Sequence, residues 1–274
     1  MGEFQQMSKS DGVQNQSLVK NSLYKIAGEF TQQSELERMR HERLREISQL
    51  ITQKFGFQWN MHSTVTLKRQ TLSRLLYLDK LYQHVLEVPG VLCEFGVQWG
   101  ATTAQLINLR GMYEPYNHSR KIIGFDTFSG FVEINSEDST QAEAGDYAVF
   151  EEYLSVLEEI LDIQESFSPL SHIKKYELVK GDASETIHQW LDDNPHAVIA
   201  MAFFDMDVYK PTRDVLRAIL PRLTRGSVLV FDELNCPHFP GETAALNEVI
   251  GLAKLELKRF PHQPYCSWGI YQGT

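Results

Sequence analysis

The rhythm of apolar and polar positions changes near residue 89. Before it the spacing is helical. Leu36, Leu44, Ile47 and Ile51 recur near 3.6 residues with Arg and Glu between them, and Ser34-Glu35-Leu36-Glu37 has the form of a capping box. A second helical stretch, about 65–87, carries Leu72, Leu75, Leu76, Leu78, Leu81 and Val85. Neither stretch has chemistry of its own, so 21–87 reads as a helical extension that roofs a pocket and supports a homodimer. Residues 1–20 are polar and read as a disordered tail. Met1-Gly2-Glu3-Phe4 reads as an appended leader, with Met7 as the natural start.

From Pro89 onward, short apolar runs alternate with amphipathic stretches. The expected strands are Val91–Phe95, Lys121–Phe125, Tyr176–Val179, Val198–Phe204 and Val228–Phe231; helices are expected at 101–110, 183–192, 211–221 and 242–252. This alternation predicts βαβ units around a buried parallel sheet, an α/β Rossmann-like fold over 88–274. The last two runs, Leu255–Phe260 and Cys266–Tyr271, are too close together for a crossover helix. They are expected to close the sheet edge as an antiparallel pair. The segment 127–173 is long for a βα connection, holds a helical stretch at Tyr147–Leu161, and reads as a lid insertion.

Composition narrows the class. A chain of 274 residues that is 42% hydrophobic can bury one large core. Its 26 basic against 36 acidic side chains give a net charge of −10, which argues against a general nucleic-acid binder. No run approaches the roughly 20 apolar residues of a membrane span, and the first residues lack a signal-peptide core. Cys93, Cys236 and Cys266 are too few and too scattered for a disulfide framework or a zinc site. They read as reduced thiols of a cytoplasmic protein.

The polar residues of interest all fall at expected strand ends, where open α/β sheets bind ligands. Cys93-Glu94-Phe95-Gly96-Val97-Gln98-Trp99-Gly100 follows the first strand and opens a helix. Gly96 permits a tight turn, and Gly100 a close approach of backbone to a ligand. The Gly-x-x-x-Gly spacing is neither the dinucleotide fingerprint nor a phosphate loop. A glycine turn after an acid suits a zwitterionic ligand without phosphates. Asp126, ending the second strand, can accept both ribose hydroxyls of an adenosine. Asp182, ending the third, either accepts from an adenine amino group or caps the helix that follows. Phe204-Asp205-Met206-Asp207 and Phe231-Asp232-Glu233 end the fourth and fifth strands. Four carboxylates converging there would repel one another, and an oxygen-only set favours a hard cation such as Mg2+. Asp205 and Asp207 face opposite ways if extended, so only one of them is expected to bind the ion directly.

With these residues in place, the chain resembles the macrocin O-methyltransferases, sugar O-methyltransferases of antibiotic biosynthesis. Within them it is most similar to the nucleotide-deoxysugar or rhamnoside 3-O-methyltransferase branch. The likeness covers about 70–272 and rests on CEFGVQWG, EPYNHSRKIIGFDTFSGF, FFDMDVYKPT and GSVLVFDELNCPHFPGET in order. The resemblance implies S-adenosylmethionine as cofactor. Glu94, Gly96 and Gly100 would hold its methionine portion and Asp126 its ribose, with Asp182 near adenine. It also implies a metal triad of Asp205, Asp232 and Glu233, Asp207 as base, and a sugar or glycoside substrate. Where the antibiotic enzymes often carry Asp-Asp, this chain has Asp232-Glu233, and the extra methylene moves the third ligand's oxygen outward. A catechol O-methyltransferase and a non-catalytic cofactor-binding protein remain as rival expectations.

Overall fold

A computed structural model describes residues 20–273, which divide into two compact units between Leu72 and Ser73. The expected tail and the expected start at Met7 lie outside the described residues, except for residue 20. The first unit departs from an all-helical reading because it opens with a hairpin, β1 (Ser22–Ile26) and β2 (Glu29–Gln33). The two-residue turn between them, Ala27-Gly28, takes φ of 52° and 84°. Two successive positive φ values match the right-handed twist of the flanking strands. Helix α1 (Glu35–Lys54) then starts at the expected capping box: Ser34 Oγ accepts the Glu37 N–H, and the Glu37 carboxylate accepts the Ser34 N–H. A short helix, α2 (Trp59–Ser63), lies between two 3-10 turns.

The second unit opens within α3 (Arg69–Val85), whose Tyr77, Leu78, Leu81, Tyr82 and Val85 are buried. Five parallel strands follow: β3 (Val91–Phe95), β4 (Ile122–Asp126), β5 (Tyr176–Lys180), β6 (Ile199–Phe204) and β7 (Leu223–Phe231). Between and after them come α4 (Ala101–Tyr113), α5 (Tyr153–Ser166), α6 (Ala183–Asp193), α7 (Tyr209–Ile219) and α8 (Gly241–Val249). The expected antiparallel edge is present as β8 (Lys258–Arg259) and β9 (Ser267–Ile270), although β8 is shorter than its apolar run. The sheet order is β5-β4-β3-β6-β7-β9-β8. This is the Rossmann-like arrangement expected from the sequence.

Side-chain alternation along the strands supplies two cores. Leu92, Ile122, Met201 and Val228 pack with α3, α4 and α5 on one face. Cys93, Ile123, Ala202 and Leu229 pack with α6, α7 and α8 on the other. At the carboxyl ends the register aligns one residue type across four strands: Phe95 pairs with Phe125 and with Phe204, and Phe204 with Phe231. The neighbouring rings stack at centroid distances of 4.9, 5.4 and 5.0 Å. The next residue in each strand is Gly96, Asp126, Asp205 or Asp232. One buried aromatic row therefore sets four site positions at the same height.

Candidate active site

The carboxyl ends of these strands border a cavity of about 440 Å3. It lies at the switch point, where the chain has run β3-β4-β5 one way and then turns to β6-β7. Eight of the nine residues singled out from the sequence line it; the ninth, Gly100, does not.

The glycine turn is shaped by neighbouring backbone. Gly96 has φ +95°, and a Cβ there would lie 1.9 Å from the Asp205 carbonyl oxygen, so the exit of β6 demands glycine. Gly100, at φ +74°, is the N-cap of α4. A Cβ on it would meet Leu157 Cδ1 at 2.4 Å. Its close approach is to α5 and not to the cavity, in contrast to the ligand contact expected of it.

Asp126 fastens this turn. Its Oδ2 accepts the N–H groups of Val97 (2.7 Å) and Gln98 (2.8 Å), and Oδ1 accepts that of Phe128 (2.5 Å). Burial pushes its pKa up against these three hydrogen bonds. A carboxylate has about four acceptor directions, which leaves capacity toward the cavity it lines. Asp182 adopts the capping alternative: it is the N-cap of α6 and accepts the Ser184 N–H at 2.8 Å. Beside it, the buried Ser184 Oγ on the cavity wall has no protein partner.

Glu94 is 1% exposed and accepts from Thr103 Oγ1. Burial pushes its pKa up to about 8, with Asp205 repelling it further. The acids after β6 and β7 form a denser group. Burial, then Asp232, raises Asp205 to about 7. Burial, then Asp232, raises Glu233 to about 8. Asp207 goes well above the usual carboxylate range through burial and the nearby Glu233. The backbone at Asp207 is not extended, as the opposite-faces argument assumed. It is left-handed at φ +63°, because the chain turns sharply between β6 and α7 and the Val208 N–H reaches the Met206 carbonyl at 2.6 Å. Such a conformation at a non-glycine residue costs of order 1–3 kcal/mol and concentrates at functional sites.

Two members of the group were missed in the sequence. Glu242, at the start of α8, is fully buried; it accepts the Glu233 N–H at 3.0 Å and faces Asp207 and Glu233. Arg74 of α3 extends Nη1 to within 3.6 Å of Asp205 Oδ2 and Nη2 to within 3.5 Å of Asp232 Oδ2, and donates to Thr102 Oγ1 at 2.8 Å. Burial opposes its charge, but Asp232 and the other acids hold it firmly protonated. Its signal was positional: Arg74, Tyr77, Leu78 and Leu81 share one helical face at i, i+3, i+4 and i+7.

The expected triad of Asp205, Asp232 and Glu233 is not drawn together around one point. Among the described residues no three such side chains converge as a metal cluster. Arg74 supplies positive charge to both Asp205 and Asp232, at 3.6 and 3.5 Å. The donor chemistry nevertheless suits a hard divalent cation. All donors are oxygens, and the buried Asp232 Oδ1, Glu233 Oε2 and Glu242 Oε1 lack hydrogen-bond partners.

The insertion supplies another wall. Phe131, Glu133 and Tyr147 line the cavity. Asp138 accepts the N–H of Tyr209 at 2.7 Å, capping α7 where its own N-cap residue, Val208, has no side-chain acceptor. Tyr153 packs edge-on against Trp99 and donates to its carbonyl at 2.9 Å.

The macrocin-O-methyltransferase (TylF) family model matches residues 12–246. The mycinamicin III 3''-O-methyltransferase of Micromonospora griseorubida is 27% identical over 166 residues, 57% of this chain. That match spans 61% of the relative's own length. The crystal structure of CalS11, a calicheamicin methyltransferase, has a TM-score of 0.83 and 39% identity, covering 88% of this chain and 95% of that one. The apo structure of CalS11, described as a TDP-rhamnose 3'-O-methyltransferase, gives 0.77 and 37%, covering 88% and 96%. The O-methyltransferase NovP, at 21% identity and a TM-score of 0.51 over 73% and 79%, shares the fold. By the extent of the family match and by its likeness to CalS11, the chain belongs to the macrocin-O-methyltransferase family.

Proposed function

We propose that this protein transfers a methyl group from S-adenosylmethionine to a hydroxyl of a sugar, as a nucleotide-deoxysugar or a glycoside, in natural-product or surface-glycan biosynthesis. The observation that carries the reading is the single cavity running from Asp126 and Asp182 to Asp205, Asp207 and Asp232. Its β4–β5 side suits an adenosine, and its β6–β7 side suits a polar acceptor.

A sulfonium methyl is already electrophilic; the difficulty is a neutral hydroxyl. Asp207, with its raised proton affinity and constrained backbone, accepts the hydroxyl proton as the methyl transfers. The Gly96 turn, held by Asp126, sets the cofactor's depth, and the insertion wall helps exclude water and orient the acceptor. Asp205, Asp232 and Glu233 would hold a magnesium ion or a similar hard cation. When bound, it lowers the proton affinity of neighbouring acceptor hydroxyls. The highly exposed Phe57, Met61 and Val65 of the first unit support self-association as a dimer. No described helix is long and apolar enough to cross a membrane, and the reading places the enzyme in the cytoplasm.

The test is incubation with S-adenosylmethionine, a divalent cation, and panels of nucleotide-deoxysugars, free glycosides and catechols, with products read by mass spectrometry. Methylation confined to sugar acceptors supports the proposal; methylation of catechols alone overturns it.

A further inference from the structure

The cavity has a pronounced charge imbalance: eight carboxylates line it, against two cationic side chains, Arg74 and Lys210. The methionine end of the proposed cofactor is a zwitterion, so its ammonium has many possible partners and its carboxylate very few. Lys210, on α7 with Asp214 at 3.5 Å and Glu133 at 3.9 Å, is the poorer match, since it offers a compact ammonium and not a planar fork. Arg74 stands beside Thr102, the second residue of α4, at 2.8 Å. No side chain caps the start of α4, and the first N–H groups of a helix have no intrahelical acceptor.

We propose that Arg74 and Thr102, with the amino end of α4, form the subsite for the cofactor's α-carboxylate, across the cavity lining from Glu94, which the family resemblance already gives to the methionine portion. This rests on the reading of the cavity as an S-adenosylmethionine site. The geometry leaves the guanidinium able to do it. Its contacts with Asp205 and Asp232, at 3.6 and 3.5 Å, lie beyond the 2.7–3.2 Å range of N–H···O hydrogen bonds. They keep the group charged without saturating its five N–H donors. Its planar fork matches a carboxylate in a way that a lysine ammonium cannot. Glu94 also lines the cavity, two residues before Gly96. The two charges of the amino acid thus meet complementary partners from two different elements.

The experiment is calorimetric binding of two probes. One is S-adenosylhomocysteine; the other is its decarboxylated analogue, which keeps the amine and the adenosine. Wild type should bind S-adenosylhomocysteine more tightly. Arg74→Met should weaken S-adenosylhomocysteine roughly ten- to hundredfold while shifting the analogue less than about threefold, and Arg74→Lys should recover part of the loss. Thr102→Val reads the same subsite should Arg74→Met fail to fold, and should also weaken only the carboxylate-bearing probe. Equal loss on both probes, or no loss on S-adenosylhomocysteine, overturns the assignment of Arg74. Wild type binding neither probe overturns the cofactor reading itself.

Discussion

The carboxylate of Asp126 holds the backbone of Val97: its Oδ2 accepts the Val97 N–H at 2.7 Å and the adjoining Gln98 N–H at 2.8 Å. The end of β4 thereby fixes the loop that follows β3. Asp126→Asn keeps the size but loses charge and one acceptor, leaving buried N–H groups poorly matched at a cost of about 1–3 kcal/mol. The expected result is a melting temperature lower by several degrees and at least tenfold weaker S-adenosylhomocysteine binding, measured by thermal unfolding and calorimetry. Unchanged binding would remove Asp126 from the cofactor site.

Glu94 makes stability depend on pH. Its folded pKa of about 8 lies above its ordinary 4.5, so between these values the folded state holds a proton that the unfolded chain has released. Its contribution is fully present below about pH 4.5 and is lost as pH rises toward 8. The ligand-free protein should therefore lose melting temperature between pH 5.5 and 8. Glu94→Gln, which cannot ionise, should reduce that slope, the raised acids Asp205 and Glu233 supplying the remainder, and melt higher than wild type at pH 8. A slope unaffected by the substitution would contradict the buried acid.

Asp207→Asn separates catalysis from binding. The variant should bind S-adenosylhomocysteine within about threefold of wild type, while kcat falls by roughly 10²- to 10⁴-fold, the usual range for a positioned base. Full activity in this variant, measured with any accepted sugar, would remove the assignment.

The oxygen cluster should take up a hard divalent ion. Binding of Mn2+ to the ligand-free protein, followed by electron paramagnetic resonance, is expected to be saturable. It should weaken at least tenfold in Asp232→Asn and in Asp205→Asn. Equal Mn2+ binding by all three proteins would mean that these carboxylates are not the ligands.

The parallel sheet and the height of its acids were readable in the sequence because most of its strands are short, largely apolar runs followed by Gly or Asp. The hairpin at Ser22–Gln33 was not. Its turn is Ala27-Gly28 and not Asn-Gly, and its faces alternate weakly. Arg74 was hidden by a sound rule, that a charged residue on a helix belongs to the solvated face; only the fold shows what that face meets. Glu242 lay inside a quoted motif yet looked like an ordinary first-turn acid. The bend at Asp207 has no local signature, since aspartate enters a left-handed turn only when the strand before it and the helix after it require it. The true neighbour of Gly100 is Leu157, 57 positions away, which no spacing rule reaches.

The stacked rings of Phe95, Phe125, Phe204 and Phe231 have a consequence for traffic. They seal the floor directly under the carboxylates with four fully buried hydrocarbon surfaces. No file of solvent can rise through the sheet to reach those oxygens. Protons and ions therefore reach and leave the oxygens of Asp126, Asp205 and Asp232 from the cavity side of the sheet.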